Sequence, residues 1–293
     1  MSLIENAFDK MRRSGIEPDE VNPPPRSPAH PAALAAPASV GAEPVYRQVS
    51  IDLEGLRAAG YLPEKDHERR LADYYRQIKR PLIEQALAAN DAVQMRLILV
   101  TSPLPGDGKT FTSINLALSM ARERDTTTLL VDADLPKAHI SRAFGVGGEP
   151  GLVDALLDDS LDVESLILRT NVRGLDILPA GTWVDGVTEL LSSARMTQVA
   201  ARLGARPRRM VLLDSSPVLV SIEARSLIHV PGQIVLVLRS GKTPRGAAID
   251  AIAQLDKKKL QGVVLNDSRA ASGDYYYGYS YYGAGGDGIA RGS

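Results

Sequence analysis

One stretch constrains this chain more than any other. Leu97-Ile98-Leu99-Val100 runs into Thr101-Ser102-Pro103-Leu104-Pro105-Gly106-Asp107-Gly108-Lys109-Thr110 and then into a segment of helical period. An apolar run, a glycine-rich loop and a helix in that order are the parts of a P-loop. Glycines at 106 and 108 let backbone N–H groups close on phosphate oxygens, and the helix opening near Lys109 adds the positive end of its dipole. Lys109 reaches the β and γ phosphates, and Thr110 offers a hydroxyl to Mg²⁺. The nucleotide-binding positions expected on this basis are Pro105, Gly106, Asp107, Gly108, Lys109, Thr110 and Phe111. The general G-x-x-x-x-G-K-[ST] pattern opens on glycine, and Pro103 stands there instead.

Carboxylates follow at two further strand ends. Leu129-Leu130-Val131 leads to Asp132-Ala133-Asp134, and Met210-Val211-Leu212-Leu213 leads to Asp214-Ser215-Ser216-Pro217. A hard Mg²⁺ ion takes oxygen ligands and usually keeps several waters, so Thr110, Asp132 and Asp214 beside nucleotide phosphates make a reasonable shell. Asp132 and Asp134 are two residues apart, so on a strand they point the same way, and either suits the role of proton acceptor. Asn266, ending Gln261-Gly262-Val263-Val264-Leu265-Asn266, fits two roles: a hydrogen bond to an adenine edge, or an ordinary strand-terminating turn.

Apolar runs at Leu97 to Val100, Leu129 to Val131, Leu175 to Leu178, Met210 to Leu213, Ile234 to Leu238 and Val263 to Leu265 alternate with segments of helical period at Thr112 to Arg122, Val187 to Leu203 and Ala247 to Leu255. The alternation predicts an α/β fold: a doubly wound, mostly parallel sheet with helices on both faces. Ligands then belong at the carboxyl ends of the strands.

The α/β pattern occupies residues 45–266 of 293, and the flanks differ from it in composition. Residues 1–17 carry Leu3, Ile4, Ala7, Phe8 and Met11 on one face of a short helix that needs a partner to be stable. Residues 18–44 hold eight of the 19 prolines and read as a linker. Residues 267–293 form a glycine-rich tail in which Tyr275, Tyr276, Tyr277, Tyr279, Tyr281 and Tyr282 are six of the ten tyrosines, a density no core uses. The 34 basic and 35 acidic side chains cancel to a net charge of -1, which gives no whole-molecule field for nucleic acid. The absence of cysteine excludes disulfides, thiolate metal sites and a Cys nucleophile. Neither a secretory leader nor an apolar run of membrane-spanning length is visible, so a soluble, cytoplasmic protein is expected.

The loop from Ser102 to Thr110, the Asp132-x-Asp134 pair, the strand end at Asp214 and the tyrosine cluster together resemble the bacterial tyrosine kinases (BY-kinases) of exopolysaccharide loci. The opening Ser2-Leu3-Ile4-Glu5-Asn6-Ala7-Phe8, the proline-rich linker, Ile177-Leu178-Pro179-Ala180-Gly181 and Thr188-Glu189-Leu190-Leu191 are similar to the subgroup called exopolysaccharide-locus, or exosortase-associated, tyrosine autokinases. The resemblance implies ATP and Mg²⁺ as cofactors, with Lys109 and Thr110 on phosphate and metal and with Asp132, Asp134 and Asp214 as the Walker A′ and Walker B carboxylates. It implies the six tail tyrosines as acceptors, entering the active site of a neighbouring copy in a ring that phosphorylation dissolves. The family's ring contact, Glu-x-x-Arg-x-x-Arg, is matched by Asp73, Arg76 and Lys79, shorter at the acid and less bidentate at the last base. The usual double proline after the Walker B Asp is Ser216-Pro217. Implied partners are a second copy of the chain, an inner-membrane polysaccharide co-polymerase as activator and a cognate tyrosine phosphatase. The kinase would then sit peripherally at the inner membrane and regulate exopolysaccharide polymerisation or export. Two rival readings share some of these features. A P-loop ATPase switch of the septum-site or partition type would carry a signature lysine where Leu104 stands, and a non-catalytic scaffold would need neither Lys109 nor the three acids.

Overall fold

The computed structural model describes residues 46–88 and 93–268. The expected N-terminal helix, the linker and the tyrosine cluster lie outside them. Eight strands form one sheet in the order β1-β4-β5-β3-β6-β2-β7-β8. They are β1 (Arg47–Val49), β2 (Leu97–Thr101), β3 (Thr127–Ala133), β4 (Leu168–Thr170), β5 (Leu175–Leu178), β6 (Arg209–Ser215), β7 (Gln233–Arg239) and β8 (Leu260–Asn266). Every pairing is parallel except β4 with β5. The expected α/β class and doubly wound sheet are therefore what the chain adopts.

Nine helices connect the described strands: α1 (Leu53–Ala58), α2 (Glu68–Ala88), α3 (Lys109–Met120), α4 (His139–Ala143), α5 (Leu152–Leu157), α6 (Val187–Leu191), α7 (Ala194–Gly204), α8 (Ile222–Leu227) and α9 (Arg245–Gln254). Because side chains alternate across a strand, Leu97 and Leu99 belong to one core layer, with α5, α6, α7 and α9, while Ile98 and Val100 belong to the other, with α2, α3 and α4. The central strands β2, β3 and β6 are buried along nearly their whole length, and their apolar runs are covered on both faces.

The long helix read over Val187 to Leu203 is two helices. Ser193 is extended at φ -76°, ψ 160°, and its side chain accepts a hydrogen bond from the N–H of Met196, which caps α7 and breaks the run. Among the described residues, no helix is long and apolar enough to cross a membrane.

Register positions the chemistry. Val100 of β2 is opposite Asp214 of β6, and Asp214 is opposite Asp132 of β3, so one level of the sheet carries both acids beside the strand that feeds the loop. Val100 faces the layer that holds α3. Side chains level with it therefore meet the first turns of that helix.

Candidate active site

The loop between β2 and α3 is held open by its own backbone. Gly106 and Gly108 have φ of +87° and +94°, a region that side-chain-bearing residues rarely occupy. A Cβ at Gly108 would lie 1.9 Å from Nδ2 of Asn266. Among the described residues, none of the N–H groups from Gly106 to Phe111 donates to a backbone carbonyl, and the first bond of the helix runs from Thr112 N–H to the Gly108 carbonyl. These unmatched donors at the start of a 12-residue helix are the elements of an anion cradle.

Asp107 braces the loop. One of its carboxylate oxygens accepts from the Leu104 N–H (2.9 Å), and the other accepts from the Thr243 hydroxyl (2.7 Å). The Asn266 amide donates to the Asp107 carbonyl oxygen (3.1 Å). Asn266, for which the sequence left two roles open, thus grips the phosphate loop from the end of β8.

Lys109 and the three acids meet behind the loop. The Lys109 ammonium donates to Oδ2 of Asp134 at 2.6 Å, and the Ser216 hydroxyl donates to Oδ1 of the same residue at 2.6 Å. Asp214 accepts from the hydroxyls of Thr110 and Ser113, both at 2.9 Å. Oδ2 of Asp132 accepts from the N–H (2.8 Å) and hydroxyl (2.7 Å) of Ser141. Oδ1 of Asp132 is buried and has no partner among the described residues. All three carboxylates are buried.

Burial and the Asp214 charge push the Asp132 carboxyl up to about 7, against the lowering effect of the Ser141 hydrogen bonds. Burial also raises the Asp214 carboxyl, opposed by the Lys109 ammonium and the two hydroxyls. For Lys109, burial disfavours the charge, but the fields of Asp214 and Asp134 outweigh it and the ammonium is held above its ordinary value. The buried, unpartnered oxygen of Asp132 and an all-oxygen donor set of Thr110, Asp132 and Asp214 fit Mg²⁺, a hard cation.

The structure thus brings together Lys109, Thr110, Asp132, Asp134 and Asp214, with Gly106, Asp107, Gly108 and Asn266 around the same loop. Ser113, Ser141, Ser216 and Thr243 also belong to the site, and no motif in the sequence marks a hydroxyl that acts on a distant carboxylate. The proposed oligomer contacts part company. Asp73 and Arg76 are exposed and paired with each other. Lys79 is buried on α2, donating to the Ser119 carbonyl at the end of α3 (2.6 Å) and pairing with Glu123 (2.7 Å). Its ammonium is committed inside its own chain.

Loop, helix and carboxylates define a P-loop nucleotide-binding domain, and comparison with known proteins narrows the class. Residues 95–258 match the family described as AAA domain. The chain is 35% identical over 192 residues to the tyrosine-protein kinase YwqD of Bacillus subtilis, covering 65% of this chain and 78% of that one. It is 33% identical over 210 residues to the putative tyrosine-protein kinase EpsB of Ralstonia nicotianae, covering 69% of this chain but 28% of that one. The solved kinase domain of the Escherichia coli tyrosine kinase ETK superposes with a TM-score of 0.60 at 26% identity, over 71% of this chain and 80% of that one. The chain belongs to the bacterial tyrosine kinases, the BY-kinase family.

Proposed function

We propose that the chain is an ATP-dependent protein-tyrosine autokinase whose acceptors are its own Tyr275, Tyr276, Tyr277, Tyr279, Tyr281 and Tyr282, modified by a second copy within an oligomer. The observation that carries the proposal is Lys109 held against Asp134 beside Asp132 and Asp214, in a chain that also has six tyrosines within eight positions. The cradle N–H groups and Lys109 would bind the triphosphate. Phosphate oxygens compete for the ammonium, and its departure leaves Asp134 as a free carboxylate. The tyrosine oxygen bonds to the γ phosphorus as the bond to the β,γ-bridging oxygen breaks, ADP leaves with that electron pair, and the phenolic proton passes to Asp134. A phenol ionises near pH ~10, so positioning and charge neutralisation contribute more than base strength. Thr110, Asp132 and Asp214 would hold Mg²⁺, which neutralises charge on the transferring phosphoryl group.

The resemblance to kinases of exopolysaccharide loci supports a role in polymer assembly or export at the inner membrane. An inner-membrane co-polymerase would serve as activator and a tyrosine phosphatase would reverse the modification. Two variants test transfer between copies. A chain ending at Asp274 keeps the site and lacks the acceptors, and Lys109→Met keeps the acceptors and lacks the site. Mixed with ATP and Mg²⁺, and with the cytoplasmic segment of the co-polymerase if needed, they are expected to yield phosphotyrosine on the Lys109→Met tail. A mixture that stays unmodified while the wild type modifies itself would mean transfer within one chain. ATP hydrolysis with no phosphotyrosine in any sample would favour the ATPase switch.

A further inference from the structure

We infer that Ser141 is a positioning residue for this reaction, fixing Asp132 so that one named oxygen, Oδ1, serves the site; the inference rests on the kinase reading above. Six carboxylate oxygens belong to Asp132, Asp134 and Asp214. Five are matched by hydrogen bonds: Lys109 and Ser216 on Asp134, Thr110 and Ser113 on Asp214, and Ser141 on Oδ2 of Asp132. The sixth, Oδ1 of Asp132, is buried without a partner among the described residues. Buried polar atoms are almost always matched, and one that is not points to a missing ligand or a working group.

Ser141 is what decides which oxygen is left over. Its N–H and its hydroxyl both donate to Oδ2, at 2.8 and 2.7 Å, and two donors on one oxygen stop the carboxylate from turning. The hydroxyl has a single proton, and its direction is set as well. The Ala180 N–H donates to the same Ser141 oxygen at 2.9 Å, so the proton is left to point at Asp132. Ala180 is itself anchored, because its carbonyl accepts from the Val153 N–H and the neighbouring Pro179 carbonyl from the Leu152 N–H, both at 2.9 Å. A chain of fixed backbone thus holds the hydroxyl, and the hydroxyl holds the acid. Ser141 is 1% exposed, and its N–H and hydroxyl are engaged by Asp132 and Ala180, so its effect runs through Asp132.

Three substitutions separate positioning from packing: Ser141→Ala removes the hydroxyl, Ser141→Cys keeps nearly the same volume with a weak donor, and Ser141→Thr keeps the hydroxyl. Autophosphorylation kinetics are read beside the thermal midpoint and the gain in ADP affinity that Mg²⁺ adds, the last by titration calorimetry. In Ser141→Ala and Ser141→Cys, kcat is expected to fall about 10- to 100-fold, with KM for ATP within about twofold of wild type and the Mg²⁺ gain diminished. Ser141→Thr is expected to restore both. Should Ser141→Ala not fold, Ser141→Cys carries the comparison. Wild-type kcat in a folded Ser141→Ala or Ser141→Cys chain would overturn the inference and leave the kinase reading intact. So would a Ser141→Thr chain that melts normally and is as slow as Ser141→Cys. If the wild type transfers no phosphate, the kinase reading fails instead, and the Mg²⁺ gain alone decides the role of Ser141.

Discussion

Lys109 and Asp134 hold one another at 2.6 Å in a site where burial alone would disfavour either charge. The fields of Asp214 and of Asp134 together explain how a buried lysine keeps its proton, and a phosphate group would compete with Asp134 for the ammonium. Asp132 has no cation of its own, and its carboxyl is pushed up to about 7. A raised acid stays protonated in the folded chain after the unfolded chain has ionised. Its contribution to stability is therefore complete below the unfolded value of about 4 and is lost as pH rises towards about 7. In EDTA, the thermal midpoint of the wild type should fall over that window more steeply than that of Asp132→Asn. Parallel slopes would mean that Asp132 is ionised throughout. Lys109, Thr110 and the three acids were legible in the sequence because strand, loop and helix order states where each must stand. Asn266 was only half legible. Its partner Asp107 lies 159 residues earlier, and nothing local to either residue records the register that joins them.

Helix α2 illustrates how far periodicity reads an element. Asp73, Arg76 and Lys79 look like one charged stripe, yet each step of three residues turns about 300° around the helix, so the third side chain lies about 120° from the first. That turn brings Lys79 onto the buried stripe of Tyr75, Leu82 and Ala86. Its hydrogen bond to the Ser119 carbonyl closes the far end of the phosphate-loop helix, an end whose carbonyls lack partners within the helix. Replacing Lys79 with Met would leave that carbonyl bare. It should cost about 1–3 kcal/mol of stability, read as a lower midpoint in chemical denaturation, with the same loss in a monomeric chain as in an oligomer. A loss seen only when copies associate would instead make Lys79 an intermolecular contact. Six strands were legible from their apolar runs, although the run at Val263 to Leu265 is an edge strand, β8, whose Val263 and Leu265 are exposed rather than buried. The short elements β1, β4, α1, α4, α5 and α8, of three to six residues, were not, since fewer than two helical turns or three strand residues give no period to detect. The serine that splits α6 from α7 was equally silent, because the apolar pattern continues across it.

At the scale of the whole molecule, charge is nearly balanced at -1, and the proposed modification of the tyrosine segment would change that. Phosphorylation of all six acceptors would add roughly 9 to 12 negative charges to one short segment. In the proposed oligomer, copies gathered side by side would then repel, which would link the chemistry of one site to the state of the assembly. In the proposed reaction this P-loop site transfers phosphate to that segment. Intact mass and peptide mapping after incubation with ATP and Mg²⁺ test it most directly, on the wild type, on Lys109→Met and on a chain ending at Asp274. Incubated separately, the wild type is expected to carry phosphates confined to Tyr275, Tyr276, Tyr277, Tyr279, Tyr281 and Tyr282, and either variant none. Unmodified wild-type protein that still hydrolyses ATP in the presence of the co-polymerase segment would contradict the proposal.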